Sequence, residues 1–178
     1  MAKKRKKQPT VAKHKVKAAV DLAPLARQVE LRDLRLHNSA CAVAPGAVRV
    51  PELKQTINIE TWPKTDRPNV VAAKIAFVLV GENPGGQEAL RIEATFGIVY
   101  GVNSLDEFTS EQIGAVISPI GLANAWPYWR EFVQSMSARM GLPPLRVPLL
   151  RLDQALPAPT IHAGMPDPPK EEDIEKAK

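Results

Sequence analysis

A chain of 178 residues, of which 44% are hydrophobic, is long enough for one domain with a core and additional tails. The formal net charge of +5 is uneven, because residues 1–17 hold eight Lys and Arg and no acidic residue. A single cysteine excludes an internal disulfide framework, and no apolar run reaches the length of a membrane span. The basic N-terminus is followed by no apolar segment, which predicts no secretory signal and a cytoplasmic protein.

The N-terminal residues 1–25 are predicted to form a disordered basic arm. Like charges repel there, and little apolar surface is present to offset the entropy of ordering. The arm could bind nucleic acid, ribosomal RNA or an anionic membrane surface. A solvated tail is the favoured interpretation, because no aromatic side chain is interleaved with the charges to stack on bases.

Four stretches with alternating apolar and polar residues predict strands. Asn83-Pro84-Gly85-Gly86 has the composition of a tight hairpin connection between the third and fourth. Adjacent hairpins predict a four-stranded antiparallel meander with one apolar face that another element must cover. The predicted strands are Gln28–Val43, Lys54–Trp62, Val70–Glu82 and Glu88–Val102.

Helical signals follow the strands. Thr109 and Gln112 have capping-box spacing, which predicts a short helix within residues 105–116. The main helix is predicted over Pro127–Met140, because proline is tolerated in a first turn and Gly141 with later prolines ends it. The predicted fold is therefore α+β, with a four-stranded antiparallel sheet packed on one long C-terminal helix.

Residues 157–178 are rich in proline and charge, so we expect little order there. The histidines, His14, His37 and His162, have no Cys or carboxylate at a metal-ligand spacing. Glycines, carboxylates and serines show no phosphate-binding, acid–base or nucleophile pattern. We therefore predict no metal, no cofactor and no enzymatic activity.

The segment from Asn124 to Asp153 resembles the SecB family of export chaperones. The family pattern of Asn, apolar residues, Pro-Tyr and Arg-Glu is matched in NAWPYWRE, from Asn124 to Glu131. The pattern continues in Gly141-Leu142-Pro143 and Val147-Pro148, and LRDLRL fits the family's first strand. The resemblance covers roughly residues 28–156 and places the domain at 26–156.

The resemblance implies an ATP-independent holdase that binds unfolded polypeptides and assembles as a dimer of dimers. In the family the client groove lies between the sheet, the crossover joining the first two strands, and the long helix. Each position carried over could instead be core or a subunit contact. These positions are Val43, Val48, Val50, Leu53, Ile57, Trp126, Phe132 and Met136.

The resemblance also implies a docking surface for the SecA motor on the exposed sheet face. Asp33 and Glu93 match acids of that surface, whereas His37 stands where a further acid is expected. The crossover also lacks the family's usual aromatic residues. The clients that the resemblance implies are either preproteins in export or one dedicated protein, such as an antitoxin. Two alternatives stay open: a nucleic-acid or ribosome adaptor using the basic arm, and a structural assembly module.

Overall fold

The computed structural model describes residues 21–45, 52–151 and 157–162. The elements follow in the order α1 (Ala23–Ala26), β1 (Glu30–Val43), β2 (Glu52–Trp62), β3 (Val70–Glu82), β4 (Glu88–Gly101), α2 (Ser110–Arg139) and β5 (Thr160–Ile161). The α+β class and the four predicted strands are confirmed, and β3 has the predicted bounds. The folded part begins earlier than predicted, because Leu25, assigned to the basic arm, is fully buried. Residues 1–20 lie outside the described ranges.

The strand order in the sheet is β1-β4-β3-β2-β5. Short turns make antiparallel hairpins of β2 with β3 and of β3 with β4. The predicted meander is wrong for β1, which pairs antiparallel with β4 instead of β2. This pairing places Leu34 and Leu36 opposite Ile98 and Phe96, so the apolar residues of β1 extend the apolar face of β4. The sheet therefore has β1 at one edge and β2 near the other.

A fifth strand was not predicted. Thr160 and Ile161 pair in parallel with Glu60 and Thr61 of β2, within a segment for which we expected little order. The backbone N–H of His162 adds a hydrogen bond of 2.9 Å to the carbonyl of Thr61. Pro157 and Pro159 precede the strand, and the backbone N–H groups of Thr160 and Ile161 remain available for pairing. A composition rich in proline therefore did not exclude a strand here.

The helix α2 is one element of 30 residues, not the two helices that were predicted. The capping box of Thr109 and Gln112 is confirmed, and Gly141, with a φ of +77°, follows the C-cap. Pro119 and Pro127 both lie inside the helix. Interior prolines cost about 3 kcal/mol each in an isolated helix, so burial of one helix face against the sheet must offset them.

The core lies between α2 and one face of the sheet. Alternate residues of β3 and β4 point toward the helix and are buried, among them Ile75, Phe77 and Phe96. The indole of Trp129 stacks on Phe77 with ring centroids 5.0 Å apart, and Trp126 meets the same ring edge-on at 5.8 Å. The two-layer arrangement leaves the opposite face of the sheet half-exposed.

Candidate functional site

The outer edge of β2 is paired along only part of its length. On its inner side β2 pairs with β3 from Glu52 to Trp62, and on its outer side it pairs with β5 only at Glu60 and Thr61. Among the described residues, no strand covers the outer side from residue 52 to 59. Such an edge presents main-chain donors and acceptors that an extended peptide can pair with.

A cavity of about 200 Å³ opens beside this free edge. Small-molecule sites usually occupy about 300 Å³ or more, so this cavity suits one or two aliphatic side chains of a peptide better than a metabolite. Its walls are mostly apolar, with Gln55 and Arg146 as polar members. The lining residues are Leu53, Gln55, Leu79, Leu145, Arg146, Val147 and Pro148.

One wall of the cavity is the segment after the helix, residues 142–150, which we name the strap. Trp126 Nε1 donates a hydrogen bond of 3.0 Å to the carbonyl of Pro148, and Arg130 Nε donates one of 2.9 Å to the carbonyl of Val147. The hydroxyl of Ser137 accepts a hydrogen bond of 2.9 Å from the backbone N–H of Leu145. Side chains of α2 thus fix the strap at three points and set the width of the cavity.

The structure separates the predicted groove residues. Leu53 lines the cavity and is 41% exposed, while Ile57 lies four residues along the same strand and is half-buried. Phe132 and Met136 are partly buried against the core. Trp126 is only 7% exposed, so it is a core residue that also holds the strap.

Val43 lies far from this cavity. It is at the end of β1, three strand positions from β2, which corresponds to about 14 Å. Val48 and Val50 lie outside the described residues. Sequence reasoning missed Leu79 and the strap as cavity walls, although Val147-Pro148 had been noted as a family-like segment. That segment was the available signal.

The three predicted docking residues lie on the half-exposed sheet face but do not form a cluster. Asp33 pairs with Val99 of β4. Val99 lies six residues from Glu93 on that strand, so about 20 Å separates the positions of Asp33 and Glu93 along the strand direction. Asp33 forms an ion pair with Arg35, and Glu93 forms one with Arg91. The imidazole of His37 lies over Gly97, and a side chain at position 97 would clash with it.

Two further properties concern the described ranges only. No three His, Cys, Asp or Glu side chains there come close enough together to bind a metal ion. No helix in those ranges combines the length and the apolar character needed to span a membrane.

The chain is similar in structure to a SecB-like chaperone of Mycobacterium tuberculosis, solved in complex with a ChAD peptide from the HigA1 antitoxin. The two chains are 23% identical with a TM-score of 0.59, and the match covers 75% of this chain and 99% of the other. A protein of unknown function from Streptococcus agalactiae matches at 8% identity and a TM-score of 0.37, over 68% of this chain and 97% of that one. No protein-family model and no curated protein sequence matches the chain. The resemblance drawn from the sequence is confirmed at the level of structure: the chain has a SecB-like fold.

Proposed function

We propose that the protein is an ATP-independent holdase chaperone that binds extended segments of unfolded polypeptide. The observation that carries this proposal is the outer edge of β2 over residues 52–59, which no strand in the described part of the chain covers and which lies directly beside the apolar cavity of Leu53, Leu79 and Val147. An unfolded client offers the two features that such a site takes up, namely unpaired main-chain groups and apolar side chains.

A client segment would add to β2 as a further strand. Main-chain hydrogen bonds would supply affinity that does not depend on client sequence, and every second client side chain would face the helix side of the sheet. One of these side chains would enter the cavity between Leu53 and Leu145. Binding of this kind needs neither a nucleotide nor a catalytic group, in agreement with the expectation of a non-enzymatic protein.

The kind of client we propose is one dedicated protein, such as an antitoxin. The similar M. tuberculosis chaperone is bound to an antitoxin peptide, which supports this choice. Preprotein export through SecA fits less well, because the carboxylates of Asp33 and Glu93 are each neutralised by a neighbouring arginine and lie far apart. A motor that docks through concentrated negative charge would gain little from them. We propose a cytoplasmic location for this activity.

We also propose that the protein assembles as a homotetramer, with β1 in a subunit contact. Leu31 and Leu36 of this edge strand are 45% and 43% exposed. Tyr128 of α2 is 53% exposed and lies 6.4 Å from the ring of Phe96, the partner of Leu36 in β4. A second copy would remove this apolar surface and the free edge of β1 from water.

The test is suppression of aggregation of a chemically unfolded protein, without ATP, by the wild type and two variants. Leu53→Asp places a charge at the cavity, whereas Thr56→Asp places the same charge on the opposite face of the same strand. We expect Leu53→Asp to lose most of the protection and Thr56→Asp to keep it. A wild-type protein that gives no protection at any concentration would contradict the proposal.

A further inference from the structure

The C-terminal segment at residues 157–162, which we name the clasp, contacts three consecutive residues of β2. Its strand β5 pairs with Glu60 and Thr61, and His162 stacks on Trp62 with ring centroids 4.6 Å apart and planes 9° from parallel. His162 Nε2 also lies 3.1 Å from Glu60 Oε2, and the same carboxylate pairs with Lys74 at 3.5 Å. The clasp thus occupies one end of an outer edge that no other strand among residues 21–45, 52–151 and 157–162 covers.

The clasp is seated by a notch formed by Thr61 and Gly114. A Cβ atom on Gly114 would lie 2.8 Å from Ile161 Cδ1, so Ile161 fits there because the helix has a glycine at that point. Glycine is a poor helix former, and Gly114 lies in the second turn of α2, where alanine would suit the helix better. The local sequence therefore favours space for Ile161 over helix propensity.

Two features make this seating weak. A two-residue strand supplies few hydrogen bonds, and short pairings of this size are marginal by themselves. The hydroxyl of Thr61, fully buried in the notch, has no hydrogen-bond partner in the described part of the chain. A buried hydroxyl without a partner carries a free-energy cost, and this cost arises where Thr61, Gly114 and Ile161 meet.

We infer that the clasp is a built-in competitor for the outer edge of β2, and that an extended client segment displaces it. This inference rests on the proposed holdase function. A client strand that follows β2 beyond residue 59 meets the hydrogen-bonding groups of Glu60 and Thr61 already in use. The clasp must leave before the client strand can extend to Trp62. It therefore shortens the available edge of β2 and raises the apparent Kd for the client.

The expected effect of removing the clasp follows from its closed fraction. A protein that binds only when open has its apparent Kd divided by the open fraction, so a clasp closed in nine of ten molecules weakens binding about tenfold. Ile161→Asp removes the aliphatic side chain that fills the notch and puts a charge there, which should expel the clasp. Gly114→Ala places a Cβ atom 2.8 Å from Ile161 Cδ1, so the end of that side chain must shift, and the change improves the helix propensity of α2.

The experiment measures two quantities on the full-length chain. The first is the Kd of a fluorescein-labelled ten-residue peptide with alternating aliphatic and polar residues, and the second is hydrogen exchange of the His162 amide, which is bonded to Thr61. We expect Ile161→Asp to lose amide protection and to bind up to about tenfold more tightly, and Gly114→Ala to change both quantities in the same direction by a smaller factor. Ala158→Asp, an exposed change in the same segment, is the matched control and should alter neither quantity.

Each contrary outcome has a separate meaning. If the variants lose amide protection but bind with the Kd of the wild type, the clasp is no competitor, while the holdase function stands. If saturating peptide leaves the His162 amide of the wild type as protected as it is without peptide, the client does not displace the clasp and the inference is overturned. If the wild type does not bind the peptide, and a variant whose His162 amide has lost its protection does not bind it either, the inference and the proposed function both fail.

Discussion

Trp129 Nε1, two-thirds of the way along α2, donates a hydrogen bond of 3.1 Å to Gln55 Oε1 of β2. The indole is fully buried and stacks on Phe77, so its N–H group has no access to solvent. Gln55 meanwhile lines the cavity. One polar contact therefore links the position of the helix to the strand whose edge we propose as the client-binding site.

Gln55→Ala should destabilise the fold by about 1–3 kcal/mol, because it leaves the buried indole N–H without an acceptor. The measurement is the free energy of unfolding from urea denaturation of the variant and the wild type. Thr56→Ala, an exposed neighbour on the other face of β2, should change it by less than about 0.5 kcal/mol. Equal losses in the two variants would show that the Trp129 contact contributes nothing particular to stability.

Trp126→Phe tests the attachment of the strap. Phenylalanine keeps an aromatic ring against Phe77 but cannot donate to the carbonyl of Pro148. We expect a loss of about 1 kcal/mol in stability and a weaker Kd for a labelled extended peptide, because the cavity wall is no longer fixed. Gln134→Ala is the control, since Gln134 lies on the same helix and is exposed. Unchanged peptide binding in Trp126→Phe would separate the strap from client recognition.

The strands were predictable because their signals are local. Alternating residues and the turn at Asn83–Gly86 define β3 and β4 within one residue of their observed ends. The placement of β1 was not predictable in the same way, because alternation shows that a strand has one apolar face and does not show which strand lies beside it. The helix was divided wrongly because Pro127 satisfies the rule for a first turn as well as it fits the observed interior position.

The site was less predictable than the fold because its walls come from distant parts of the chain. Leu53 follows from the family resemblance, but Leu79 and Leu145 reach the cavity only when the strap runs back along α2. That course depends on hydrogen bonds between backbone groups of the strap and the side chains of Trp126, Arg130 and Ser137, which leave no pattern in the strap's own sequence. The β5 strand was hidden for a similar reason, since two residues are too few to show alternation.

Tyr100 should make the fold less stable at high pH. Burial raises the pKa of its phenol to about 12, although the 3.0 Å hydrogen bond from Asn124 opposes part of this shift. In the unfolded chain a tyrosine loses its proton near pH 10, so between pH 10 and 12 the folded chain retains a proton that the unfolded chain releases. This contribution to the free energy of unfolding is fully present below pH 10. It falls by about 2 kcal/mol as the pH rises from 10 to 12.

The measurement for Tyr100 is urea denaturation at intervals from pH 9 to 12. Lysines also titrate in this range, so the quantity to compare is the slope of stability against pH in the wild type and in Tyr100→Phe. The variant lacks the phenol and should show the shallower fall, even if its stability at pH 9 differs because Asn124 has lost its partner. Parallel slopes would contradict the assignment of the effect to Tyr100.

Pro127→Ala should stabilise the protein, because the proline lies in the interior of α2 with its side chain exposed. Its ring meets the carbonyl of Ala123 one turn earlier and provides no N–H for that carbonyl. Alanine removes a helix penalty of about 3 kcal/mol, and greater freedom of the unfolded chain returns about 1 kcal/mol. We expect the midpoint of thermal unfolding to rise by about 5 °C. Pro143→Ala, an exposed change after the helix, is the control and should not raise the midpoint. A lower midpoint for Pro127→Ala would mean that the helix geometry imposed by the proline helps to place Trp126 and Trp129 against the sheet.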